Sequence, residues 1–227
     1  LIPGIPDAEF EEAGMEPDWL VWARRIQALA QTGLAFTKDG YDRERYASLT
    51  ALAAEMMAAR SAGDPARIED LFAGQTGYAT PKVDVRGAVF DGDGRILLVR
   101  EAADNGRWTL PGGWADVNQS PSECVAREVL EEAGLEVRVR KLACVYDRAR
   151  HALLPHYPFH IYKMFFICEP AGAPELARGD GFETTAAQFF AQADVPETEL
   201  SIGRVLPWQI TRLFQHLRDP ALPTDFD

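Results

Sequence analysis

Between Ser120 and Gly134 the residue types fix the local conformation at both ends. Ser120-Pro121-Ser122-Glu123 combines a capping serine, a proline at the first helical position and a glutamate three residues after the cap. Two otherwise unpaired amides of the helix start thereby find side-chain acceptors. Gly134 stands where a helix ends through a left-handed residue, a conformation glycine adopts freely. These signals predict a helix over 121–133. At about 100° per residue, Glu128, Glu131 and Glu132 project from one side, and Val125, Ala126, Val129, Leu130 and Ala133 from the other. The pattern predicts an apolar face against a sheet and an acidic face turned away from the core.

Three carboxylates within one turn repel one another by about a few tenths of a kcal/mol per exposed pair. Glutamates are common on solvated helix faces. Here, however, the cluster follows the glycine-rich Pro111-Gly112-Gly113 and has Arg127 at its edge. Oxygen-only donors on a rigid helix suit a hard cation, and magnesium combines one or two carboxylates with waters and phosphate oxygens. Backbone without Cβ atoms lets a ligand approach peptide groups closely. A magnesium site beside such a loop points to phosphoryl chemistry.

The remainder divides in two. Residues 1–14 carry Asp7, Glu9, Glu11 and Glu12 with no basic residue, and read as an added remnant or processed tail, with Met15 as the native start. A helical domain is predicted over 15–75. Its first helix, 18–31, places Leu20, Trp22, Ala23, Ile26, Leu29 and Ala30 at helical spacing and stops at Thr32-Gly33. The second, 42–60, has Tyr46, Leu49, Leu52, Ala53 and Met56 on one side. The third is capped by Asp64, has Pro65 at its first position and ends before Gly74. This unit reads as a structural or dimer-forming module. From 78 to 227 the pattern becomes mixed: strands at 82–90, 95–100, 136–147 and 159–168, the helix at 121–133, and a closing helix from Pro207. The fold class is α/β (α+β), a sandwich of mixed sheet and helices with a small N-terminal all-helical unit.

The net charge of −12 disfavours a nucleic-acid polymer as partner, while a small phosphorylated substrate is compatible if divalent cations supply positive charge. No run of about 18 apolar residues suggests a membrane span. Cys124, Cys144 and Cys168 are odd in number and widely spaced, which fits neither a disulfide framework nor a zinc site and suggests a cytoplasmic location.

The stretch from Gly113 through Gln119, Arg127, Glu128, Val129, Leu130, Glu131, Glu132 and Gly134 to Leu135 resembles the 23-residue Nudix box, G-x5-E-x7-R-E-U-x-E-E-x-G-U. Eight of its nine fixed positions match. The resemblance implies the Nudix sandwich, with the capped helix as catalytic helix. It implies Glu128 and Glu132 as principal ligands of Mg2+ or Mn2+, and Glu131 as a further ligand or as a base acting through a water. It adds the Gly112 carbonyl as neutral ligand and Arg127 as the residue orienting a catalytic glutamate. A further carboxylate from a later loop is usual in the family, and Glu183 is the candidate. The departure is Gln119, where the box has glutamate: the oxygen acceptor stays and one charge is lost.

Trp22-Ala-Arg-Arg-Ile-Gln-Ala-Leu-Ala-Gln-Thr-Gly-Leu-Ala-Phe and Tyr41-Asp-Arg-Glu-Arg-Tyr are similar to the helical extension of a Nudix subgroup acting on ADP-ribose or CDP-choline. Arg148, His160, Tyr162 and Lys163 resemble the same subgroup and are candidate substrate contacts. Trp108 and Trp114 either stack on a base or pack beside the loop. The expected activity is hydrolysis of the pyrophosphate in a nucleoside diphosphate linked to another moiety, by a homodimer. The alternatives are a nucleotide-sensing module and a pyrophosphohydrolase of oxidised nucleoside triphosphates.

Overall fold

The computed structural model describes residues 16–60, 65–151, 153–172, 176 and 183–227. The tail at 1–14, the Asp64 cap and Gly181-Phe182 lie outside the described residues. The chain divides into two compact units: one comprises the chain up to Pro81 together with Arg148–Ile161, the other Lys82–Asp147 with Tyr162–Asp227.

The first unit contains α1 (Asp18–Phe36), α2 (Gly40–Ala58) and α3 (Pro65–Ala73). Asp39 caps α2 by accepting from the Asp42 amide at 3.0 Å. Leu20, Ala23, Ala53, Ala54, Met57, Ile68 and Phe72 pack with Phe159, whose ring meets Phe72 edge-on at 6.2 Å between centroids. Two sequence expectations are corrected here. Helix α1 does not stop at Thr32-Gly33 but runs on to Phe36. Gly33 serves a contact instead: a Cβ there would overlap the Tyr46 ring, so the glycine admits α2 against α1. The buried face of α2 is also rotated from the predicted one. Ala53, Ala54 and Met57 face the core, whereas Leu49 and Leu52 are exposed, because the small alanines permit the closer approach.

The second unit holds β1 (Lys82–Val89), β2 (Ile96–Glu101), β3 (Arg107–Thr109), α4 (Pro121–Ala133), β4 (Val137–Asp147), β5 (Ile161–Pro170), β6 (Thr184–Phe190), α5 (Pro207–Arg218) and β7 (Asp225–Phe226). Two sheets form, ordered β1-β5-β4-β7 and β3-β2-β6. Strand alternation divides their side chains between two cores. Ala88, Phe90, Ile96, Leu98, Phe165 and Ile167 pack with Leu213 and Phe214 of α5. Val85, Val89, Leu97, Val99, Phe166 and Cys168 pack with Val125 and Val129 of α4. Both sheet faces are therefore covered, which explains the apolar runs Ile96–Val99 in β2 and Met164–Cys168 in β5. No described helix is long and apolar enough to cross a membrane.

The chain end is clasped. β7 pairs in parallel with β4, and the Asp225 carboxylate accepts from Arg212 at 2.7 Å and lies 2.9 Å from His216 Nε2, both on α5. Hydrogen bonds from Arg212, helped by His216 and opposed by burial, hold the Asp225 carboxyl down at about 2. Its contribution is present above the ordinary carboxylate value near 4 and is lost as pH falls through about 2. Asp225→Asn is expected to cost about 1–2 kcal/mol at pH 7, a few degrees in thermal midpoint. Melting curves between pH 7 and pH 2 check this, and the difference between the two proteins closes toward pH 2.

Candidate active site

Helix α4 begins with the predicted capping box. Ser120 Oγ accepts from the Glu123 amide at 3.3 Å, Glu123 Oε2 accepts from the Ser120 amide at 2.8 Å, and Gly134 ends the helix at φ +66°. The orientation of the acidic side differs from the sequence expectation. Glu128 and Glu132 are 9 % and 5 % exposed and share the buried face with Cys124, Val125, Val129 and Ala133, while Leu130 points outward. The reason lies across from the helix, where the loop following β3 covers both carboxylates with backbone.

That loop is laced to β1. Gly87 N–H donates to the Pro111 carbonyl and Val85 N–H to the Gly113 carbonyl, each at 2.8 Å, and Ala115 N–H donates to the Val83 carbonyl at 2.9 Å. Gly112 adopts φ +141°, where a Cβ would run into the Val85 carbonyl. Its amide donates to Glu132 Oε2 at 3.0 Å. A Cβ on Gly113 would lie 2.8 Å from Glu128 Oε2. Each glycine thus faces one of the two enclosed glutamates. Burial pushes the Glu132 carboxyl up to about 8, against the pull of Arg86 and of the Gly112 amide. Burial also raises Glu128, against Arg127. Two enclosed carboxylates on adjacent turns of one helix, each pushed up by burial, fit a divalent cation.

Arg127 lies along the outer edge. Its Nε donates to Gln119 Oε1 at 3.2 Å, Nη1 to Glu131 at 2.6 Å, and Nη2 to Glu128 and to Asp116 at 2.8 Å each. Glu131 is exposed. Glu183 is exposed and precedes Thr184, whose hydroxyl donates to the Glu132 carbonyl at 2.8 Å, so β6 meets the end of α4 one residue from Glu183.

The candidate substrate residues fall in both units. Trp114 and Tyr162 are exposed in the second unit. Trp108 is buried, edge-on to Phe190 at 5.0 Å, with the Arg100 guanidinium over its face. Lys163 is 2 % exposed and donates to Asp84 at 2.6 Å. Arg148 and His160 belong to the first unit, where buried Arg148 donates to the Pro155 carbonyl and stacks on Tyr157.

Sequence reasoning missed Asp84, Arg86 and Asp116. Asp84 is buried between Lys163 and Arg86, whose Nη1 also donates to the Leu110 carbonyl at 3.2 Å. Burial would raise the Asp84 carboxyl, but the two cations hold it well below the carboxylate range. Charges two residues apart inside an apolar strand share one sheet face, and that spacing was the available signal.

Two family models match the chain: a NUDIX domain over residues 80–209, and a UDP-X-like, N-terminal oligomerisation domain over residues 17–72. A Bacillus subtilis (strain 168) protein, YjhB, whose name proposes an ADP-ribose pyrophosphatase activity, is 46 % identical over 214 residues, covering 94 % of this chain and 99 % of that protein. The crystal structure of a UDP-X diphosphatase is 32 % identical with a TM-score of 0.56, covering 92 % of this chain and 98 % of that one. An ADP-ribose pyrophosphatase structure from Streptococcus suis 89-1591 is 36 % identical with a TM-score of 0.54, covering 65 % of this chain and 100 % of that one.

The two loop glycines are expected to separate fold from site. Gly112→Ala is strained by both backbone angle and contact and should lower the thermal midpoint by about 5 °C or more. Gly113→Ala meets only a side chain, so it should fold normally while displacing the Glu128 carboxylate and weakening divalent-ion binding. Thermal melts alongside calorimetric Mn2+ titration distinguish the two, and normal Mn2+ binding by folded Gly113→Ala contradicts the placement of Glu128.

Proposed function

The chain belongs to the Nudix family and is a pyrophosphohydrolase, and from that premise we propose that it uses Mg2+, or Mn2+ in its place, to cleave nucleoside diphosphates linked to a further group. The ADP-ribose type is favoured over CDP-choline, since the relatives bear names of ADP-ribose and UDP-linked activities. One observation carries the reading: Glu128 and Glu132 are enclosed side by side against the glycine backbone of residues 112–113.

In this reading Glu128, Glu132, the Gly112 carbonyl and Glu131 hold the ion. When bound, the ion supplies positive charge to the diphosphate and makes water a better nucleophile. Arg127 orients Glu128 through the 2.8 Å hydrogen bond between them. Glu131 or Glu183 accepts the proton of the attacking water, both being exposed. Trp114 and Tyr162 offer aromatic surface to the nucleoside. The products are a nucleoside monophosphate and a phosphorylated remainder.

The first unit supports a homodimer. Trp22, Leu29 and Phe36 recur every seven residues along α1 and are 58 %, 63 % and 68 % exposed, on the side away from Leu20, Ala23 and Ala30. An apolar seam of that period suits a second helix of the same kind. The match to an oligomerisation domain over 17–72 supports the same partner.

A panel of ADP-ribose, UDP-sugar, CDP-choline and oxidised nucleoside triphosphates, incubated with Mg2+ or Mn2+ and resolved by chromatography, tests the activity. Cleavage of ADP-ribose to AMP and ribose phosphate is expected. Glu128→Gln and Glu132→Gln should each lower kcat by about a hundredfold or more in folded protein. Near-normal rates in both variants at saturating Mg2+ count against the site. Leu29→Glu with Phe36→Glu should shift the sedimenting species from dimer to monomer, and an unchanged dimer removes the seam as its interface.

A further inference from the structure

The guanidinium of Arg127 presents an electrostatic difficulty for the site just described. It donates to Glu128, and a cation held against a carboxylate competes with any metal ion for that carboxylate's charge. The acceptors on the rest of the guanidinium therefore matter for Glu128. Glu131 takes Nη1 and carries a charge. Gln119 takes Nε but is neutral, standing where the Nudix box has a glutamate. The fourth acceptor stands at a position the box pattern leaves variable: Asp116 Oδ2, 2.8 Å from the same Nη2 that donates to Glu128.

Asp116 is delivered there by anchored backbone. The amide of its neighbour Ala115 donates to the Val83 carbonyl of β1, and its own carbonyl accepts from the thiol of Cys124, fully buried on α4, at 3.8 Å. Its side chain is 65 % exposed, so the ion pair adds little to fold stability. What the pair changes is the sharing of Nη2.

We propose that Asp116 is a positioning residue for Arg127, replacing the charge that the box loses at Gln119. With Asp116 in place, Nη2 is divided between two carboxyl groups and the cation is offset outside the proposed metal-binding pair. With Asp116 removed, Nη2 turns wholly to Glu128, Gln119 brings no compensating charge, and Glu128 becomes a poorer ligand. A carboxylate introduced at 119 restores the balance through Nε.

The proposal rests on α4 being the divalent-ion helix, and the test separates the two. Mn2+ is titrated calorimetrically, without nucleotide, into the full-length wild type, Asp116→Asn, Gln119→Glu and the double variant. Asp116→Asn should bind Mn2+ about tenfold more weakly, and adding Gln119→Glu should restore affinity to within about threefold. In ADP-ribose turnover at limiting Mn2+, kcat should follow the same order while KM for ADP-ribose stays level. Melting points in EDTA should agree across the four proteins within a few degrees. Unweakened Mn2+ binding by Asp116→Asn, or no recovery in the double variant, overturns the role of Asp116 while leaving the proposed reaction standing. Absence of Mn2+ uptake by the wild type overturns both.

Discussion

The hydrogen bond from the Gly112 amide to the Glu132 carboxylate is the contact around which the second unit is arranged. It requires the loop to arrive at α4 with backbone rather than side chains, which requires glycine, and at Gly112 requires φ +141°. The same loop must be held at a fixed height, which the ladder to β1 at Val83, Val85 and Gly87 accomplishes. The helix in turn has to rest on that sheet, and Val125 and Val129 provide the apolar contact. A carboxylate that burial would drive to its neutral form, at about 8, is thus held in place by the loop's own backbone. The enclosed glutamates are costly as a fold element, a cost that the proposed cation site accounts for.

Behind this centre a second set of charges is sealed in. Asp84 lies between Arg86 and Lys163, all three essentially inaccessible to water. Buried ion groups of this kind seldom add net stability compared with apolar replacements, although removing one partner alone is costly. Their placement offers a reason for retaining them. Arg86 donates to the Leu110 carbonyl, just ahead of the glycine loop, and its charge pulls the Glu132 carboxyl toward the ionised form against burial. The triad thereby joins the position of the loop to the charge of the glutamate it touches.

Legibility from sequence followed how local the cause was. The bounds of α4 were readable because cap, proline and terminating glycine act within a few residues. β1, β2, β4 and β5 were readable from their strand pattern, whereas β3 and β6 were not predicted, and β7, two residues held by Asp225 and parallel pairing, left no periodic trace. The facing of α4 was misjudged because helical angle alone does not reveal that a distant loop covers Glu128 and Glu132. Gly33 was misread as a terminator because the residue that needs its missing side chain, Tyr46, lies in the next helix. Lys163, grouped with substrate contacts by resemblance, spends its ammonium on Asp84, a partner 79 positions away. Local chemistry was visible, and pairings across long separations were not.

The departure at Gln119 shows that the box contains two kinds of position. Glu128 and Glu132 answer to the glycine backbone, and geometry there leaves little freedom: both are enclosed, and each is opposed by one glycine. Gln119, Glu131 and Asp116 answer instead to Arg127, in partly or fully exposed surroundings where an acceptor can be exchanged at small cost to folding. On the proposal above, what matters in the second group is the sum of charge around one guanidinium rather than the identity of any one residue. A chain can therefore lose a box glutamate and keep a balanced centre, provided another carboxylate reaches the same cation. Motif matching scores the loss at 119, whereas only the arrangement in space reveals the acid at 116.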